Sequence, residues 1–101
     1  MEFNAVRITG LVKELKAPRT SPAGVEHREL ILEHRSVQTL DGQLREVRAL
    51  VTVKVSGSKL AQQVTGLVPG NRITVSGMLA QASHRDTQQL LIHAQAIERF
   101  E

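Results

Sequence analysis

Along most of the chain, apolar and polar residues alternate with a period closer to two than to 3.6, which marks half-buried strands rather than helices. The clearest run spans residues 44–56. There Val47, Ala49, Val51, Val53 and Val55 point one way and Glu46, Arg48, Leu50, Thr52 and Lys54 the other. A first strand is predicted over residues 4–15, with Val6, Ile8 and Val12 on one face and Arg7, Thr9 and Lys13 on the opposite one. Gly10 interrupts it and predicts a bulge or sharp bend. A second strand over 27–36 leads to Asp41-Gly42, a strong hairpin signal. The fourth, 72–82, carries a second mid-strand glycine, Gly77, and the fifth covers 90–100. Residues 57–71 break the alternation. Leu60, Val64 and Leu67 lie three to four apart, so one or two helical turns are predicted, ended by Pro69-Gly70. Loops are expected at 16–26, punctuated by Pro18, Pro22 and Gly24, and at 83–89.

Three strands, a short helical connector and two further strands is the order of the five-stranded OB barrel, an all-β architecture. The two glycine kinks favour a closed barrel over a flat sheet. Another small barrel, such as an SH3-like one, fits the same pattern. The 101 residues show no repeat, linker or low-complexity tract, so residues 1–101 are read as one domain. A hydrophobic fraction of 41% excludes a disordered composition. The absence of cysteine excludes disulfides, thiolate metal sites and cysteine nucleophiles. The apolar runs are too short to cross a membrane, and MEFNAVRITG lacks the basic-then-apolar pattern of a signal peptide, so a soluble, cytoplasmic protein is expected. The only aromatics are Phe3 and Phe100, read either as interface residues or as core plugs.

Catalytic chemistry finds no motif. His27, His34, His84 and His93 form no HxH or HExxH spacing, and the carboxylates are scattered without an evident acid/base pair. The serine-glycine pairs do not match GxSxG, and Gly57-Ser58-Lys59 lacks the spacing of a phosphate loop. No enzyme activity, metal site or cofactor is expected.

Charge changes the picture more. The net charge is +3, from 13 basic and 10 acidic residues, and nine of the basic residues are arginine. Arginine forks onto phosphates and stacks on bases. In an OB barrel, oligonucleotides cross the face of the second and third strands, gripped by the 1–2 and 4–5 loops. On that template Lys16 and Arg19 fall at loop 1–2, and Arg35 ends the second strand. Arg45, Arg48 and Lys54 lie on the third strand, the last two on its non-core face. His84 and Arg85 lie in loop 4–5. Glu29, Glu33 and Glu46 are interspersed and dilute the field, so these residues alone leave a phosphate track and an ordinary solvated surface both open.

Several stretches resemble the primosomal replication protein N family: SPAGVEH (21–27), LEHRSVQ (32–38), VSG (55–57), GNRITVSG (70–77) and IHAQAIE (92–98). The similarity spans about residues 4–99, with one gap in loop 4–5. The resemblance implies an OB fold, a homodimer, and binding of single-stranded DNA without strong sequence preference. It also implies a role in restarting stalled replication forks, with the primosomal helicase and other primosome proteins as partners. Arg19, Arg35 and Arg85 match basic DNA-contacting positions of the family. Better-known members place base-stacking aromatics where this chain has Gln43 and Arg48, and some basic positions of loop 4–5 fall here near Ser83 and Gln89. Because base–aromatic stacking is worth about 1–3 kcal/mol per base, weaker and more salt-dependent binding is expected. Two other roles compete: a protein-interaction adaptor with incidental DNA affinity, and a general single-strand binder.

Overall fold

The alternating segments form strands that close on one another. The computed structural model describes residues 1–100. The elements are β1 (Val6–Leu15), β2 (Arg19–Thr20), β3 (Glu26–Leu40), β4 (Gln43–Ser56), α1 (Ser58–Val64), β5 (Arg72–Gln81) and β6 (Leu90–Arg99). The sheet order is β1-β5-β6-β4-β3-β2, and β1 also pairs with β3, which shuts the five long strands into a barrel. All pairings are antiparallel except β4 with β6, where Val53 faces Ile92 and Lys54 faces His93. This is the OB barrel.

The core takes the inward position from every long strand. Val12, Leu30, Leu32, Val53, Val55, Ile73, Val75 and Ile92 are essentially free of solvent. Burying each such side chain contributes about 1.5–3 kcal/mol. The helix α1 closes one end by packing Ala61 and Val64 inward, with Leu67 buried just beyond it.

Both mid-strand glycines sit where backbones approach too closely for a side chain. A Cβ on Gly10 would lie 2.5 Å from the Glu33 carbonyl oxygen, and one on Gly77 would overlap the His93 carbonyl oxygen. Gly10 is where β1 passes from β5 to β3: residues 6–11 pair with β5 and residues 11–15 with β3. The register shift in β1 falls between Val12 and Glu14 rather than at Gly10, whereas that of β5 lies at Ser76/Gly77. Thus the glycine in β1 permits close contact, and Lys13, an exposed residue with nothing to pack, takes the bulge.

Other expectations need correction. The second long strand does not end at 36. It pairs with β4 without interruption from His27↔Ser56 to Leu40↔Gln43, through a turn in which Asp41 and Gly42 have φ of 51° and 76°. Such paired positive φ values give the turn whose twist suits a two-residue hairpin. Beyond the barrel rim the hairpin stands as a two-stranded arm. Residues 37–46 are exposed on both faces, and Val47 and Ala49 are only half-buried. The expected 1–2 loop contains a short strand, β2, paired with the start of β3. The helix ends at Val64, with Thr65 donating its N–H to Ala61, before Pro69-Gly70 is reached. Phe3 is 93% exposed and Phe100 53%, so neither plugs the core.

Candidate nucleic-acid interface

Residues directly opposite in an antiparallel pair share a face. Leu30 and Val53 are such a pair, both buried, so the alternate pairs form the outer face of the β3–β4 sheet: Glu29↔Lys54, Ile31↔Thr52, Glu33↔Leu50 and Arg35↔Arg48. Lys54 and Arg48 lie six steps apart along β4, about 20 Å.

At the α1 end of this face lies the β1–β3 connection. Its backbone is held by Arg19↔His27 and Thr20↔Glu26 pairing, and by the Lys16 amide donating to the Glu29 carbonyl at 2.9 Å. The Arg28 Nε donates to the Lys16 carbonyl at 3.1 Å. From this connection Lys16 Nζ and an Arg19 guanidinium nitrogen reach the Glu29 carboxylate at 3.7 and 3.9 Å. Lys54 stands opposite Glu29. Lys16 and Arg19 are therefore brought together on one carboxylate, and with Glu29 they line a shallow recess shared with His27 and Arg28.

At the far end, Arg35 and Arg48 meet across the strands. Arg48 donates from Nε to Glu46 Oε1 at 2.9 Å, whereas Arg35, Arg45 and Lys54 have no ion-pair partner among the described residues. A second recess is lined by Glu33, His34, Arg35, Arg48, Ala49 and Leu50. Below it His34 ties β3 to β1. Its Nδ1–H donates to the Thr9 carbonyl at 2.7 Å, leaving Nε2, in the neutral ring, to accept from the Ser36 hydroxyl at 2.8 Å.

Four candidates are not brought onto this face's track by any contact. Gln43 stands opposite Leu40 beside the hairpin turn, with the strand parity of Arg45 rather than of Arg48. Arg45 pairs with Gln38 and so lies on the other side of the hairpin arm, where its guanidinium donates to Gln43 Oε1 at 3.2 Å. His84 and Arg85 lie in the β5–β6 loop, organised by Ser83 Oγ accepting from the amides of Arg85 and Asp86 at 3.2 and 3.0 Å. Among the described residues no hydrogen bond or ion pair joins that loop to β3 or β4. Its direction is nonetheless set: β6 runs parallel to β4 with Ile92 beside Val53, so the chain before Leu90 leaves the barrel at the hairpin end.

Along the two strands themselves, Arg35, Arg48 and Lys54 are matched by Glu29, Glu33 and Glu46. The cationic surplus of the face comes from Lys16 and Arg19 on the β1–β3 connection. Two residues of the surface were not singled out from the sequence. Arg28 has the inward parity of Leu30 yet reaches the Lys16 carbonyl and lines the recess, which only the folded connection reveals. Leu50 is 59% exposed on the outer face. Its signal was present in the sequence, as the one apolar residue in an otherwise polar register from Glu46 to Lys54.

The closed barrel defines an OB-fold protein. A model for "another single-strand binding protein family" matches residues 4–96, and the chain belongs to that family. Within it, the chain is similar to replication restart protein PriB. It is 35% identical over 98 residues to PriB of Actinobacillus succinogenes, covering 94% of this chain and 89% of the relative. It is likewise 35% identical over 98 residues to PriB of Vibrio cholerae, covering 96% and 98%. A solved PriB from Ralstonia solanacearum superimposes with a TM-score of 0.85 over 99% of this chain and all of that one, at 22% identity, a likeness of fold alone. A deletion mutant of the single-stranded DNA-binding protein from Thermus aquaticus gives a TM-score of 0.77 at 26% identity, covering 98% of this chain and 51% of that one.

Proposed function

We propose that the chain is a single-stranded DNA-binding accessory protein of replication restart. In this reading it lays a strand of little preferred sequence along the outer β3–β4 face and works as a homodimer beside the primosomal helicase. The observation that carries the reading is the placement of cations at both ends of one face about 20 Å long, Lys16, Arg19 and Lys54 at one end and Arg35 with Arg48 at the other. Phosphates neutralised there release counterions from the strand, which provides affinity without reading bases. Between the two ends Leu50 and Ile31 offer apolar contact, and the Arg35 and Arg48 guanidinium planes take the place of aromatic rings against bases. The names of the relatives and the family match support the setting of replication restart.

A second reading, a protein-interaction adaptor, is favoured by one observation: the strand face alone is balanced in charge, and the hairpin arm exposes Val37, Leu40 and Leu44. One experiment separates the two. Binding of a fluorescent oligonucleotide is measured at several salt concentrations for the wild type and for Arg35→Ala/Arg48→Ala, followed by stimulation of the primosomal helicase. Loss of both DNA affinity and stimulation supports the first reading. Stimulation retained without DNA affinity supports the adaptor.

A further inference from the structure

Glu29 stands out on the outer β3–β4 face because two cations from a separate segment converge on it. Lys16 Nζ lies 3.7 Å from its Oε2 and Arg19 Nη2 3.9 Å from its Oε1, while Lys54 is its cross-strand partner. A carboxylate held between two cations has the charge and paired acceptor oxygens of a phosphodiester, and it sits where a strand on this face would bring one. We propose that Glu29 is a built-in competitor for the DNA phosphate. It occupies Lys16 and Arg19 in the free protein and must release them when a strand binds, and so sets the affinity of the face. This inference rests on the single-strand-binding reading above.

The alternative role for such a carboxylate is to position the connection. Three features argue for competition instead. The connection is already fixed without Glu29's carboxylate: β2 pairs with β3, the Ser21 amide donates to the Val25 carbonyl at 2.9 Å, the Lys16 amide to the Glu29 carbonyl at 2.9 Å, and the Arg28 side chain donates from Nε to the Lys16 carbonyl at 3.1 Å. The two ion pairs exceed hydrogen-bonding distance, and Arg19 is 70% exposed, so they hold little and exchange readily. The cations of this cluster also supply the surplus charge of the whole face, so a local carboxylate subtracts from it where it counts. Glu33 provides the internal comparison. It lies on the same face of the same strand yet has no cation within 4.0 Å among the described residues.

The test measures anisotropy of a labelled oligothymidylate across a salt series with wild type, Glu29→Gln, Glu33→Gln, and Lys16→Gln/Arg19→Gln with and without Glu29→Gln. Glu29→Gln is expected to bind about threefold to tenfold more tightly at low salt. Its log-affinity against log-salt slope is expected to steepen by about 0.7, the equivalent of one more phosphate. Glu33→Gln, acting only through screened charge, is expected to gain about twofold or less, and the Glu29→Gln gain to vanish in the Lys16→Gln/Arg19→Gln background. An unchanged melting transition for Glu29→Gln fits a connection held without that carboxylate. Weaker binding by Glu29→Gln with a lowered melting transition would assign Glu29 a structural role and overturn the proposal. Equal gains for Glu29→Gln and Glu33→Gln would overturn it too. If neither the wild type nor Glu29→Gln binds at low salt, the DNA-binding reading itself falls; if the wild type binds and Glu29→Gln does not gain, only this inference falls.

Discussion

Arg35 and Arg48 are direct cross-strand partners on the outer face of the β3–β4 sheet. Like charges in that relationship destabilise a sheet, and the molecule relieves the pair only on one side, by drawing Arg48 to Glu46 at 2.9 Å. A bound polyanion would relieve both. Arg35→Gln is therefore expected to stabilise the free protein by about 0.2–1 kcal/mol while weakening its grip on single-stranded DNA. Thermal melts and a salt titration of oligonucleotide binding check the two halves. The log–log salt slope is expected to become shallower by about 0.7.

Leu50 separates binding from stability. Its side chain is largely exposed, so Leu50→Ser is expected to change folding stability by less than about 0.5 kcal/mol. It removes an apolar contact from the proposed base track and is expected to cost about 1 kcal/mol of DNA affinity, or roughly fivefold. Leu32, fully buried on the inward face of the same sheet, has the opposite profile: Leu32→Ala is expected to cost about 2–5 kcal/mol of stability. Denaturant unfolding and oligonucleotide binding on the two variants give the comparison.

Arg48 lies opposite Arg35 on the outer β3–β4 face, at one end of the proposed DNA track. Arg48→Trp exchanges a phosphate-seeking cation for a ring, and stacking is worth about 1–3 kcal/mol per base. The variant is expected to bind more tightly than the wild type at high salt, with a flatter salt dependence. Oligonucleotide titrations at low and high salt should cross over.

Gly10 and Gly77 test barrel closure. Each faces a carbonyl of the neighbouring strand too closely for a methyl group, and backbone yields less than a side chain. Gly10→Ala and Gly77→Ala are each expected to destabilise the fold by about 1–3 kcal/mol, with Gly77→Ala the more damaging because its methyl would overlap the His93 carbonyl oxygen. Equilibrium unfolding of the two variants measures both.

Much of the fold was legible in the chain because a barrel wall has one wet and one dry side. Alternation exposed β1, the inner part of β4, β5 and β6, and the three-to-four spacing of Leu60, Val64 and Leu67 exposed the helical connector. The same reasoning failed in the hairpin arm. Residues 37–46 meet solvent on both sides, so nothing in their polarity marks the strands that backbone pairing sustains there. It also misplaced the bulge of β1, since Gly10 is small for the sake of the Glu33 carbonyl, a neighbour 23 positions away in sequence.

The candidate site divides in the same manner. Parity along a strand is local, so the sequence by itself determined that Arg48 and Lys54 point outward and Arg45 does not. Which cations meet depends on cross-strand register and on how the connections fold back. Only the tertiary structure could gather Lys16 and Arg19 on Glu29. Charge acts through space over a few ångströms, and in this chain Lys16 meets Glu29 across 13 positions and Lys54 stands opposite Glu29 across 25.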